Sequence, residues 1–322
     1  MVILVSVLQV LACGGTGGEG NDVADDEATT GDGDGDGDPS GDGDPSGDGD
    51  GDPSGDGDGD GDPSGDGDGD GDPSGDGDGD GDCETWCPSP GTSWQWQLTG
   101  TLDTEIDVEM YDVDLFDTPP ATVAELQQAG RVVVCYFSAG SHEDWRPDAD
   151  AFPPAAIGDP LDDWPGERWL DVRDPTVRTI MQERLDLAVT RGCDGVEPDN
   201  VDGYTNQTGF PLTGEDQLDY NRFLATEAHA RGLSVGLKND LEQIPELVDD
   251  FDWALDEECV SYDECELLAP FLAAGKAVFH VEYVDEPGQG PALADSVCPA
   301  VPDGFSTLIK TWDLDAWRLA CP

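Results

Sequence analysis

The sequence predicts an α/β fold, a (β/α)8 barrel of the TIM type, preceded by a disordered linker rich in Gly and Asp. Three observations support this prediction. Lys, Arg and aromatic residues are absent from residues 1–82, and all of them lie in the remainder. That remainder is about 240 residues long, the usual size of one such barrel. Within it, short apolar runs alternate with helix-like stretches, as strands and helices do in parallel α/β folds.

Residues 1–13 are predicted to be a signal peptide of the lipoprotein type. The apolar run Met1–Leu11 is too short to span a bilayer, and small residues and Cys13 follow it. This pattern resembles bacterial lipoprotein signals, in which the Cys becomes the lipidated first residue. The usual Lys or Arg is absent, and a plain secretory signal is the alternative. We expect an extracytoplasmic protein, anchored through Cys13 to the outer membrane or cell surface, or secreted.

Residues 14–82 are predicted to be a disordered acidic linker, and residues 83–322 a single folded domain. Blocks of Gly-Asp ending in Pro-Ser repeat from Gly31 onward and offer nothing apolar to bury. The dense carboxylates could bind Ca²⁺ loosely, but the spacing of a calcium-binding EF-hand loop is missing. The linker is therefore interpreted as a spacer.

The net charge of −61 argues against nucleic acid as a partner. All 13 Lys and Arg residues follow residue 82, where acidic residues still outnumber them. Such a surface would attract a cationic substrate, although it could simply keep the protein soluble. We expect a monomer.

Nine cysteines without metal-site spacing predict disulfides, and neither a metal nor a cofactor is expected. If Cys13 carries a lipid, eight remain. We expect Cys259 to pair with Cys265 and Cys298 with Cys321. Cys83 and Cys87 are candidates for a third pair, and Cys135 and Cys193 could be bonded or simply buried.

Eight apolar runs are candidate strands, and Trp94–Leu98 leads into them. An open doubly wound sheet is the alternative, but no GxGxxG turn follows the first strand. The predicted strands are 106–111, 132–137, 169–172, 195–198, 233–237, 251–255, 277–283 and 305–309; helices are predicted at 122–128, 177–190, 216–230, 245–250 and 264–273.

Polar side chains follow the predicted strands, and in a parallel barrel all these ends meet at the face that carries the chemistry. Paired carboxylates beside aromatic rings suit glycosidic cleavage, in which one protonates the leaving oxygen and the other attacks carbon or activates water. The predicted substrate-binding residues are Asp112, Asp114, Tyr136, Ser138, Trp145, Asp171, Arg173, Glu197, Asn200, Asp202, Tyr204, Lys238, Asn239, Asp240, Glu282 and Tyr283.

Four stretches, at 134–141, 164–173, 192–204 and 236–240, resemble the endo-α-1,4-polygalactosaminidases, family 114 of the glycoside hydrolases. The resemblance runs from about Trp94 to Cys321. It implies a (β/α)8 barrel that cleaves α-1,4-linked galactosamine polymers. It also implies a catalytic pair, an Asp after the fourth strand and a Glu after the sixth, which match Asp199 and Glu257.

From spacing alone, Glu197 competes with Asp199, and Asp256 or Glu258 competes with Glu257. The resemblance favours Asp199 as nucleophile and Glu257 as acid/base, with exchanged roles left open. A cationic amino-sugar polysaccharide is the expected partner, since deacetylated galactosamine is an ammonium ion. Alternatives are a non-catalytic carbohydrate-binding barrel, a surface adhesin that uses the Gly-Asp repeat, and a hydrolase of another α-linked glycan.

Overall fold

The structure, a computed structural model, describes residues 85–322. The predicted signal peptide, the lipidated Cys13, the Gly-Asp linker and Cys83 lie outside the described residues. None of the described helices is both long enough and apolar enough to cross a membrane.

Twelve strands are described, and nine of them form one curled sheet. Within that sheet the order is β1-β2-β3-β7-β8-β9-β10-β11-β12, and every neighbouring pair is parallel except β11 and β12. The other three form a small antiparallel sheet, β4-β6-β5. The strands are β1 Trp94–Gln97, β2 Met110–Asp114, β3 Val132–Ser138, β4 Ser141–Glu143, β5 Ile157–Pro160, β6 Glu167–Leu170, β7 Gly195–Asp199, β8 Ser234–Lys238, β9 Trp253–Glu257, β10 Val278–Val284, β11 Phe305–Thr311 and β12 Leu319–Ala320.

Helices connect most of the parallel strands, and two of them have clear sequence signals at their ends. The second helix begins after Asp174, whose side chain accepts from the Thr176 N–H, and ends at Gly192 with φ of 88°. The third begins with a capping box between Thr213 and Asp216. The α-helices are α1 Pro120–Gln128, α2 Pro175–Arg191, α3 Gly214–His229, α4 Ile244–Leu247, α5 Cys259–Tyr262, α6 Ala269–Ala273 and α7 Gly290–Val297.

The apolar core has two main parts. One lies between the outer side of the curled sheet and the helices. The other fills the inside of the curl, where the first and last parallel strands approach: the Trp94 indole N–H on β1 donates to the Ser306 carbonyl on β11 at 2.8 Å. Trp94 also packs on Phe279, with ring centroids 4.9 Å apart. Aromatic rings therefore close the interior beneath the carboxyl ends of the strands.

The prediction for the third strand was wrong. Trp169 and Leu170 belong to β6, which pairs antiparallel with β4 and β5 in the small sheet between β3 and α2. In the large sheet β3 therefore pairs directly with β7, and the eighth parallel strand is β1, predicted only as a lead-in, which lies beside β2. A short buried apolar run does not reveal which sheet it joins, because that depends on partners distant in the chain.

Three disulfides join pairs of cysteines that both lie within residues 85–322. The expected pairs Cys259–Cys265 and Cys298–Cys321 are confirmed, and Cys135 is bonded to Cys193 rather than simply buried. The Cys135–Cys193 bond links β3 to the residues just before β7. Because these two strands are neighbours in the sheet, the bond reinforces one of its central pairings.

Candidate active site

Lys238 stands at the carboxyl end of β8 and holds three carboxylates together. Its Nζ lies 3.1 Å from Glu197 Oε1, 3.1 Å from Asp199 Oδ1 and 3.2 Å from Glu257 Oε2. Nζ also lies 4.8 Å from the centre of the Trp96 ring. Burial by itself would lower the pKa of this ammonium group, but the three carboxylates hold it well above its usual range. Lys238 is therefore a permanent cation between them.

Asp199 is the last residue of β7, and three donors converge on it. Besides Lys238, the Tyr136 hydroxyl donates to Oδ2 at 3.1 Å and the Asn200 backbone N–H donates to Oδ1 at 2.7 Å. Its side chain is 18% exposed. The carboxylate is thus held in one orientation while it remains open to a ligand.

Glu257, the last residue of β9, is held in a similar way. Its Oε1 accepts from the Tyr283 hydroxyl, and its Oε2 accepts from the Asn239 side-chain amide at 3.2 Å. Asn239 also accepts from the Glu257 backbone N–H at 3.1 Å, which locks the pair. The Glu257 side chain is 26% exposed, slightly more than that of Asp199.

Glu197 and Asp112 lie beneath these groups and are fully buried. Glu197 accepts from the Trp96 indole N–H at 3.1 Å as well as from Lys238, and burial raises its pKa to about 7. Burial also raises the pKa of Asp112 well above its usual range, and the nearby Glu197 carboxyl adds to the effect. No donor other than the Glu197 carboxyl reaches the Asp112 oxygens among the described residues, so the contact between the two carboxyls requires a proton on one of them. Glu197 therefore supports Lys238 from below, and Asp112 lies beside Glu197 away from solvent.

Asp202, Tyr204 and Asp240 form a second group beside the first, in the loops after β7 and β8. Tyr204 is hydrogen-bonded to Asp240, which also accepts from the Asn221 amide at 2.8 Å. Burial raises the pKa of Asp240 to about 8 and that of Asp202 to about 6. The negative charge of Asp202 adds to the rise at Asp240, and that of Asp199 adds to the rise at Asp202. Near neutral pH the Asp240 carboxyl is therefore mostly protonated, whereas Asp202 is mostly ionised.

Backbone geometry near these side chains is unusual. Asn200, Asn239, Asp240 and Glu258 all have positive φ, between 48° and 64°. Each lies within two residues of Asp199, Lys238 or Glu257. Non-glycine residues in this region are uncommon and concentrate at functional sites. The strand ends are thus turned sharply where the carboxylates must be presented.

Ser138 lies in the same region, but its hydroxyl group contacts residues of the neighbouring loops. Its Oγ accepts from the Asn200 side-chain amide at 2.9 Å and lies 2.7 Å from Ser141 Oγ. The Ser141 hydroxyl donates to Glu167 at 2.6 Å, and burial raises the pKa of Glu167 to about 7. This chain connects the small antiparallel sheet with the residue next to Asp199.

We call Lys238, its three carboxylates and the side chains that hold them the Lys238 cluster: Lys238, Glu197, Asp199, Glu257, Tyr136, Asn239 and Tyr283. Four predicted residues bind other protein groups or lie apart from this cluster. Asp114 accepts two bonds from Arg146, at 2.7 and 3.0 Å, and is nearly buried. Asp171 and Arg173 pair with each other at 2.8 Å, and because β6 is not in the large sheet they do not follow one of its strands. Trp145 is 52% exposed.

Glu282 points away from the cluster. It lies on β10 with its carboxylate toward α5, where it accepts from the Val260 and Ser261 backbone N–H groups at 2.9 and 3.1 Å. The Ser261 hydroxyl and His280 complete its shell, and their hydrogen bonds keep its pKa below the usual value although burial opposes them. Side chains alternate along a strand, so Tyr283 faces the cluster and Glu282 does not.

Three further residues near the site were not predicted from the sequence: Trp96, Glu167 and Trp312. Trp96 donates to Glu197 and underlies Lys238. Trp312 stacks on Tyr283, with ring centroids 4.0 Å apart and planes inclined by 13°. The repeat Trp94-Gln95-Trp96 could have indicated a strand with one aromatic face. No local signal distinguishes Glu167 or Trp312.

Together, the curled parallel sheet and the paired carboxylates at its strand ends define a site of the glycosidase class. The family model for "Glycoside-hydrolase family GH114" matches residues 78–322, and the chain belongs to this family. The protein is a glycoside hydrolase.

Three similar proteins add to this result. The crystal structure of Aspergillus fumigatus Ega3 in complex with galactosamine has 46% sequence identity and a TM-score of 0.70, and the match covers 73% of this chain and 97% of that one. The glycoside hydrolase domain of Pseudomonas aeruginosa PelA shares the fold, with 16% identity, a TM-score of 0.56 and coverage of 72% and 99%. An uncharacterized protein of Deinococcus radiodurans is 29% identical over 63% of this chain and 75% of its own length.

Proposed function

We propose that this protein is an endo-glycosidase that hydrolyses α-1,4-linked, galactosamine-containing polysaccharide by means of Asp199 and Glu257. The observation that carries the proposal is the position of Lys238, whose single Nζ contacts both carboxylates. The similarity to Ega3, whose structure contains galactosamine, supports the choice of sugar. We infer that the curled sheet is a (β/α)8 barrel, which the contact between Trp94 and Ser306 supports.

The distances favour a retaining mechanism. The two oxygens that contact Nζ can be separated by no more than the two contacts laid end to end, 3.1 and 3.2 Å. Retaining glycosidases hold their carboxyl groups about 5 Å apart, whereas inverting enzymes leave roughly 6.5–9.5 Å for a water molecule. A single ammonium group that contacts both carboxylates keeps these oxygens closer together than an inverting enzyme requires. The retaining mechanism therefore agrees better with the contacts of Lys238.

The reaction would proceed in two steps. Asp199 attacks the anomeric carbon as Glu257 donates its proton to the departing glycosidic oxygen, forming a glycosyl ester on Asp199. Glu257 then removes a proton from water, which attacks the same carbon and releases Asp199. The greater exposure of Glu257 suits the group that must exchange protons with substrate and water. Tyr136, Asn239 and Tyr283 would hold the two carboxylates in position.

Substrate charge supports the choice of a deacetylated polymer. Each free galactosamine unit carries an ammonium group near neutral pH, and the protein has a net charge of −61. Long-range attraction would concentrate such a polymer near the enzyme, and this effect weakens as salt is added. The three disulfides support our further proposal that the protein acts outside the cytoplasm, anchored through Cys13 or secreted.

The direct test follows new reducing ends released from partly deacetylated α-1,4-galactosaminan. We expect short oligomers from the wild-type protein and at least a thousandfold loss of turnover in Asp199→Asn and Glu257→Gln, about 4 kcal/mol of transition-state stabilisation. Asp295→Asn, on the exposed side of α7, is the matched control and should keep full turnover.

Three results would contradict the proposal. Wild-type protein that cleaves only another α-linked glycan would overturn the substrate assignment. Turnover that survives both substitutions would overturn the assignment of the carboxylates. Products whose first-formed anomer is inverted would overturn the retaining mechanism.

A further inference from the structure

A shallow, open depression of about 430 Å³ lies beside Tyr283, at the carboxyl ends of β10 and β11. We call it the Trp312 pocket. None of its residues other than Tyr283 belongs to the Lys238 cluster. Its lining includes Tyr283, Asp285, Gln289, Leu293, Ser296 and Trp312.

Trp312 forms a flat apolar surface in this pocket. Its side chain is 47% exposed although it is the bulkiest kind of apolar residue. Stacking on Tyr283, at 4.0 Å and 13°, holds the ring in a definite plane. The Tyr283 hydroxyl in turn donates a hydrogen bond to Glu257. The aromatic surface is thus positioned relative to the proposed acid/base through a single intervening residue.

The opposite wall of the pocket is also held in place. Helix α7 supplies Leu293 and Ser296, and Cys298, directly after it, is bonded to Cys321 near the chain end. At its start, Gly290 lies so close to the Trp317 ring that a Cβ there would be 2.7 Å from it. A wall braced at both ends gives the pocket a defined shape, which lowers the entropy lost when a ligand binds.

The polar groups suit one kind of ligand. Asp285 is exposed and lies at the pocket, where its carboxylate can attract an ammonium group. Gln289 and Ser296 offer hydrogen-bonding groups for hydroxyls. A sugar ring has an apolar face that stacks on an indole, and an attached ammonium gains further from the negative face of the ring. An amino sugar meets all three features together.

We propose that the Trp312 pocket is a binding subsite for an amino-sugar unit of the polymer, on the leaving-group side of the bond that is cut. This inference rests on the proposed function, because it takes Glu257 as the group that protonates the leaving oxygen. The unit that departs lies on the side of Glu257, and Tyr283 and Trp312 extend from that side. The subsite selects for a free amine through Asp285.

The test measures binding in the Asp199→Asn background, where substrate is not consumed. Dissociation constants for α-1,4-galactosamine oligomers of increasing length are determined by calorimetry. Trp312→Ala should weaken binding of the longest oligomers about tenfold and leave those too short to reach the pocket unchanged. Trp312→Phe, which keeps an aromatic surface, should restore most of the affinity.

The amine requirement is tested separately. Asp285→Asn should weaken binding of deacetylated oligomers severalfold and leave that of their N-acetylated counterparts unchanged, whereas Asp295→Asn, on the nearby helix α7, should alter neither. Equal affinities of Asp199→Asn with and without Trp312→Ala at every length, together with normal turnover by the wild type, would overturn the subsite alone. Absence of binding and turnover in the wild type would overturn the proposed function as well.

Discussion

Lys238 shows how one residue sets the geometry of this site. Its ammonium group is buried and contacts Glu197, Asp199 and Glu257 within 3.2 Å. Without a cation, three carboxylates could not lie so close together, because each would repel the others in a medium that screens charge poorly. Lys238 is best described as a positioning residue, since it acts through the two carboxylates.

Removal of this charge should be costly. We predict that Lys238→Met lowers the free energy of unfolding by about 3–5 kcal/mol, the usual cost of breaking a buried ion pair on one side. Urea denaturation at pH 8 measures the effect. Glu197→Gln in the same chain removes one of the stranded carboxylates and should recover part of the loss. If the changes in the free energy of unfolding caused by Lys238→Met and Glu197→Gln simply add in the double variant, Lys238 and Glu197 do not interact.

Among the strands, β8 and β9 illustrate how apolar packing places the polar ends. Gly236 leaves room for the Trp253 ring, since a Cβ at Gly236 would lie 2.2 Å from a ring carbon. Trp253 is anchored by its indole N–H, which donates to Ser234 Oγ at 3.0 Å, and by an edge contact with Phe279. The close approach aligns the two strands that end in Lys238 and Glu257.

We predict that Gly236→Ala destabilises the protein by about 1–3 kcal/mol, because Trp253 must shift in a well-packed interior. The same variant should lower turnover more than binding, since the two strand ends carry the reacting groups. Gly288→Ala is the control: a Cβ there meets no atom within 4 Å, and its stability should stay near that of the wild type. Equal melting temperatures for the two variants would show that the contact with Trp253 is not tight.

Over the whole molecule, buried carboxyl groups make stability depend on pH. Burial raises the folded-state pKa of Asp240 to about 8, those of Glu197 and Glu167 to about 7, and that of Asp202 to about 6. Between their ordinary values near 4 and these values, the folded chain binds more protons than the unfolded chain. The free energy of unfolding contributed by these groups therefore falls as pH rises through that range.

We predict that the protein is more stable at pH 5 than at pH 8, measured by urea denaturation in a series of buffers. Asp240→Asn should flatten the decline between these values, whereas the exposed Asp295→Asn should not. Burial lowers the pKa of Lys310 from 10.5 to about 7, so the destabilisation caused by burying this charge is relieved only as pH rises above about 7. Stability that rises steadily from pH 5 to pH 8 would contradict the prediction.

The sequence by itself determined the class of fold and the main chemical groups. Strand–helix alternation predicted seven of the parallel strands, and the period of two along Glu197 and Asp199 indicated that both face the same way. The apolar pattern of residues 177–190 predicted most of α2, and the close spacing of Cys259 and Cys265 predicted their disulfide. These are local signals, in which the residues that matter lie close together in the chain.

Only the tertiary structure decided which polar strand ends meet. It assigned Glu282 to the start of α5, Asp114 to Arg146 and the run at Trp169 to a separate antiparallel sheet, and it brought Trp96 beneath Lys238. Each outcome depends on contacts between residues far apart in the sequence, which composition and periodicity do not encode. Trp312 is the clearest example, because an exposed Trp acquires a proposed role only through Tyr283, the neighbour on which it stacks.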